Sequence, residues 1–154
     1  MMRWAAAIEA TRIGVAIRQS TWIFAAMEVV HLFGLTLLLG TTIVLSLRMF
    51  GAGMRDQSVA QLAADTRPWN TLGLFLSVGS GVILAVSEAV KLMASPPFAI
   101  KMVLFVLALL YTQTIHSRMV RRQTPPGVAE KLSAAIVLML WFGVALAGRT
   151  IGFY

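Results

Sequence analysis

Five ionisable side chains stand in stretches that are otherwise apolar: Glu28 and His31 in "MEVVHLFGLTLLLG" (27–40), then Glu88, Lys101 and Arg149. A carboxylate and an imidazole three residues apart are neighbours on a helix surface. Such a pair can accept a proton, hold a cation or orient a ligand, and an unperturbed imidazole titrates near neutral pH. Two acids and two bases can also pair as salt bridges that clamp helices, with Lys101 and Arg149 snorkelling to headgroups. The elements that carry these residues decide between the two.

Those elements are set by composition. The chain has 154 residues, of which 58% are hydrophobic and 12% charged. A soluble domain of this size could not hide so much apolar surface. With no cysteine there is no disulfide, Cys-ligated zinc, iron–sulfur cluster or covalently attached haem. The net charge of +7 suits anionic lipid beside membrane spans, and no nucleic-acid partner is expected. Arg3, Glu9, Arg12 and Arg18 interrupt the N-terminal stretch, which is therefore no secretory signal.

The apolar runs predict an all-α fold, a four-transmembrane-helix bundle in a single integral membrane domain over 1–154. Spans are expected at about 22–47, 69–92, 97–117 and 132–153, preceded by an amphipathic interfacial helix at 3–18. Trp22, Trp69 and Tyr154 stand at span ends, where aromatic belts form. Ser95 followed by Pro96 and Pro97 reads as an N-cap and first turn. Basic residues in the compact loops, including Arg48, Arg67, Arg118, Arg121 and Lys131, place the loops in the cytoplasm. The termini then lie on the periplasmic side of a bacterial inner membrane.

A helix rises about 1.5 Å per residue, so Glu28, Glu88, Lys101 and Arg149 fall at a common depth, about 6–9 Å below the side that carries the termini. Small residues, Gly73, Ser77, Gly81 and Ala85, lead along one face to Glu88, and such stripes mark close helix approach in membranes. Ionisable groups avoid lipid. The expectation is one connected network of Glu28, Glu88, Lys101 and Arg149 with His31 facing the same cavity, a ligand-binding site in the periplasmic half. Glu9 is placed on the surface helix, and Glu88→Gln is expected to destabilise the protein more than Glu9→Gln.

Glu28-x-x-His31 is half of a di-iron motif, but the second copy that such a centre needs is missing. His31 is the best candidate metal ligand, and Met27, one turn away, is a weak copper ligand. A bis-histidine haem b needs both axial ligands at one depth. His31 lies about 13 Å and His116 about 28 Å from the terminal side. The pair is thereby excluded, and His116 is expected to be an interfacial residue near the loops. A haem b or quinone served by His31 alone stays open.

"EVVHLFGLTLLLG", "LSLRMFG", "RPWNTLGLFLSVGSGVIL", "PPFAIKMVLFVLALL" and "LWFGVALAGRTIGFY" together resemble a bacterial family of small four-helix membrane proteins whose function is uncharacterised. In layout the chain is also distantly similar to copper-resistance D proteins and to b-type cytochrome membrane subunits. The resemblance singles out Glu28, His31, Arg48, Lys101, His116 and Arg149. It brings no catalytic signature, so no catalytic residue is assigned and enzyme activity by the chain alone is not expected. The reading is a membrane subunit or anchor that docks other membrane or periplasmic subunits, or binds a lipid, quinone or small ligand. The alternatives are a redox protein using haem b or quinone through His31, and a transporter of copper or another small solute.

Overall fold

The computed structural model describes residues 2–54, 56–121 and 126–153. Their helices are α1 (Met2–Glu9), α2 (Arg12–Gln19), α3 (Thr21–Phe50), α4 (Val59–Ser87), α5 (Ala89–Ala94), α6 (Pro96–Tyr111), α7 (Ser117–Val120) and α8 (Val128–Ile151). A π-helical segment, Thr112–His116, joins α6 to α7, so that Pro96–Val120 runs as one rod. With α3, α4 and α8 this makes four helices long and apolar enough to cross a membrane. The protein is an all-α, multi-pass membrane bundle. Trp22, Phe75, Val103 and Leu146 stand exposed, as lipid-facing side chains should.

Local sequence explains the helix ends. Thr11, Ser20 and Ser58 each accept a hydrogen bond from a backbone N–H of the first turn that follows, satisfying a donor left orphaned at a helix start. The first span stops at Gly51, whose φ of +86° lies in the left-handed region that glycine enters without strain. The Ala52 N–H then closes the end on the Leu47 carbonyl at 2.9 Å.

The expected boundaries differ in three places. Residues 3–18 form two helices, with Thr11 capping the second. The second long helix starts at Val59 instead of near Trp69 and carries Pro68 within it. The Ser58 cap starts the helix before the polar turn that reads as loop, and Pro68 costs one hydrogen bond near an exposed end. That helix also ends at Ser87, where Glu88 (φ −128°, ψ 36°) breaks it before α5.

α3 packs on both α4 and α8, and α8 packs on α6. The second and third spans scarcely touch among the described residues, although only the short α5 separates them in the chain. The α3–α4 crossing is built on two glycines. A Cβ at Gly34 would stand 2.7 Å from the Ser77 backbone nitrogen, and one at Gly73 2.7 Å from that of Leu38. The main core holds Leu38, Ala108, Val137, Trp141 and Val144, with Phe105 edge-on to Trp141 at 6.0 Å. A second cluster near the loops holds Met49, Val59, Val120 and Ala134.

Glu9 is not an isolated surface acid. Its carboxylate pairs with Arg18 and also accepts the Val90 N–H at 3.0 Å, in the first turn of α5. It ties α1 and α2 to the break after the second span. Glu9→Gln is expected to destabilise the protein by about 1 kcal/mol, whereas Glu28→Gln, on an exposed side chain, should leave stability unchanged. Thermal unfolding in detergent micelles measures both. Equal effects would show that the Glu9 contacts add nothing.

Candidate functional site

Between the second and third spans, where the bundle is not closed by packing, lies a cavity of about 190 Å³. Its back wall is formed by His31, Leu35 and Leu38 of α3 with Trp141 and Val144 of α8. Ser77, Gly81 and Ala85 line one side and Phe98, Lys101 and Phe105 the other. At the rim, Val78, Val82 and Met102 are all exposed, Val82 by 58%. These are lipid-facing positions on the spans, so the mouth faces the bilayer sideways.

Gly81 makes room for the imidazole: a Cβ there would come within 3.1 Å of His31 Cε1. His31 Nδ1 lies 3.1 Å from Ser80 Oγ. The Ser80 hydroxyl donates to the Leu76 carbonyl, 2.5 Å away, so its oxygen is the acceptor for His31. This partner assigns the proton to Nδ1 in the neutral ring and leaves Nε2 with a lone pair. Lys101 lies along α8 at Gly148, where a Cβ would stand 3.3 Å from Nζ.

His31 and Lys101 thus share one cavity, and the other three expected site residues do not line it. Glu28 is exposed on the outer face of α3. Arg149 is exposed too, its guanidinium 5.2 Å from the Phe153 ring centroid, near the end of the last helix as a snorkelling cation would be. Glu88 is half-buried at the helix break and makes no side-chain cap bond. None of Glu28, Glu88, Lys101 and Arg149 forms an ion pair among the described residues. The connected charge network does not form.

Helix rotation is the cause. Three residues turn a helix by about 300°, so His31 facing inward leaves Glu28 about 60° off, at the rim. Gly148 faces Lys101, which turns the next residue, Arg149, about 100° away. Ser80, Phe98, Met102 and Trp141 were missed. A serine in an apolar run one face away from Gly81 was the available signal for Ser80.

His116, near the loop end of the third span, is packed inside the bundle. It is 4% exposed, and its Nδ1 lies 3.1 Å from Ser133 Oγ of α8. The π-helical turn presents Thr112 and His116 together to α8, and Thr112 Oγ1 accepts the Trp141 indole N–H at 3.1 Å. His116 does not line the cavity that holds His31.

For metals, no group of three or more His, Asp or Glu side chains suited to an ion occurs among the described residues. Met27 does not line the cavity, whereas Met102 does. What the site offers is an apolar slot with an ammonium and an imidazole on its walls.

No curated protein and no solved structure matches the chain, so the layout likeness to copper-resistance D proteins and b-type cytochrome subunits finds no counterpart. Over residues 1–154 the sequence matches one family model, and the chain belongs to that family, DUF6644, a family of unknown function.

Proposed function

We propose that this protein is a small membrane subunit that holds a lipid-soluble ligand in the cavity between its second and third spans. One observation carries the reading: the cavity opens sideways at Val78, Val82 and Met102, between helices that scarcely pack together. A ligand dissolved in the bilayer reaches such a mouth without crossing the headgroups. The small volume, below the roughly 300–1,000 Å³ of pockets that enclose drug-sized molecules, admits a head or a single ring while the rest stays in lipid. The α1–α2 pair, tied down through Glu9, offers a surface for another membrane or periplasmic subunit. The basic loops favour periplasmic termini in an inner membrane.

Gentle extraction followed by mass spectrometry of the bound small molecules tests this. The purified protein should carry a lipid-soluble molecule in about equimolar amount, and Val82→Trp, which fills the mouth, should reduce it about tenfold. Phe75→Trp, on an exposed face outside the cavity, should not. Equal retention by both variants would remove the cavity as the site.

A haem b on His31 is the second reading, favoured by the free Nε2. The helices would have to part to admit a macrocycle. A Soret band lost in His31→Ala would establish it, and a colourless preparation would end it.

A further inference from the structure

One charged group lining the cavity, the Lys101 ammonium, makes neither a hydrogen bond nor an ion pair among the described residues. No carboxylate lines the cavity with it. The unpartnered Ser77 hydroxyl packs at the helix crossing against Gly34. A cation within a span and without a counter-charge is costly, and such residues face one another, a polar path or a ligand.

We infer that the occupant is an amphiphile with an anionic oxyacid head, a carboxylate or a phosphate, bound by Lys101 with its apolar chain leaving through the mouth between the second and third spans. The inference rests on the reading that this cavity holds a lipid-soluble ligand, and it names the head. The charge decides the class. A neutral quinone leaves the ammonium uncompensated, whereas an oxyanion pairs with it. The remaining walls, Leu35, Val78, Val82, Phe98 and Met102, are apolar and suit the first methylenes of a chain. His31 lines the same cavity with Nε2 unbonded, an acceptor for the proton when the head arrives as the neutral acid.

The test uses the full-length protein in maltoside micelles and three probes with one chain length: laurate, dodecyl phosphate and dodecanol. Native mass spectrometry in competition reads their relative affinities. Wild type should favour at least one of the two anions over dodecanol by about tenfold. Laurate ahead of dodecyl phosphate assigns an acyl carboxylate, and the reverse assigns a phosphate head. Lys101→Met should abolish the preference while dodecanol still binds. Should Lys101→Met fail to fold, the wild-type preference between charged and neutral probes decides alone. Dodecanol binding as tightly as both anions, with Val82→Trp excluding all three, would overturn the anionic head and leave the cavity reading standing. Binding of no probe would overturn both.

Discussion

Replacing Gly73 by alanine should destabilise this protein strongly, as should the same change at Gly34. At Gly73 the new Cβ would stand 2.7 Å from the Leu38 backbone nitrogen and 2.8 Å from the Gly34 carbonyl oxygen. Neither atom can swing aside, because both belong to the backbone of the facing helix. The first and second spans must therefore separate. Overpacking costs about 1–3 kcal/mol and occasionally more, and the upper end is expected where backbone meets backbone. Separation also displaces Ser77 and Ser80 relative to His31, so ligand retention should fall together with stability. Gly79→Ala is the control, since its Cβ would meet nothing within 4 Å and alanine is the better helix former by about 1 kcal/mol. Thermal unfolding of both variants in one detergent measures the difference. A Gly79→Ala variant as unstable as Gly73→Ala would show that the crossing is not the point of close approach.

The second large effect is expected at His116. His116→Ala removes a buried ring and leaves the Ser133 hydroxyl, itself on a buried side chain, without its partner at 3.1 Å. The cavity left behind and the lost hydrogen bond together cost about 2–4 kcal/mol. Because His116 is outside the lining of the cavity, protein that remains folded should retain the proposed ligand. Denaturation and ligand retention, measured on the same preparation, separate the two roles. Loss of ligand from a variant of unchanged stability would move His116 into the site. The π-helical turn explains why a substitution here matters at all: it holds Thr112 and His116 on α8 through two side-chain bonds.

The candidate site was partly legible. His31 and Lys101 were recognisable as ionisable residues in apolar runs, and Ser77 and Gly81 as members of a small-residue stripe. Glu28, Glu88 and Arg149 carried the same signal and lie elsewhere. Depth is common to all five because it counts residues along an axis. Facing direction is not, since one residue of difference turns a side chain by about 100°. Glu9 was not legible as a tether for a related reason: its partners, Arg18 and the Val90 N–H, are brought to it by a helix break at Glu88 that no proline or glycine announces.

By itself the sequence determined that this chain lives in a membrane and crosses it as four helices. A hydrocarbon layer demands about 20 apolar residues per crossing with every backbone group bonded within the segment, and both conditions are written along one dimension. Ser20, Gly51 and Ser58 cap element ends through contacts a few residues away. The expected span start near Trp69 nevertheless passes over Ser58, and Ser95, read as an N-cap, makes no side-chain cap bond. Only the tertiary structure decided which spans adjoin. Hydropathy is blind to neighbour order, because lipid and a facing helix are equally apolar and the choice falls to shape. The close fit of Gly34 against Gly73 commits the first span to the second, and Trp141 and Val144 commit the fourth to the core beside Ala108. Those contacts leave the second and third spans apart, and that gap sets His31, Ser77 and Lys101 around one opening to the bilayer.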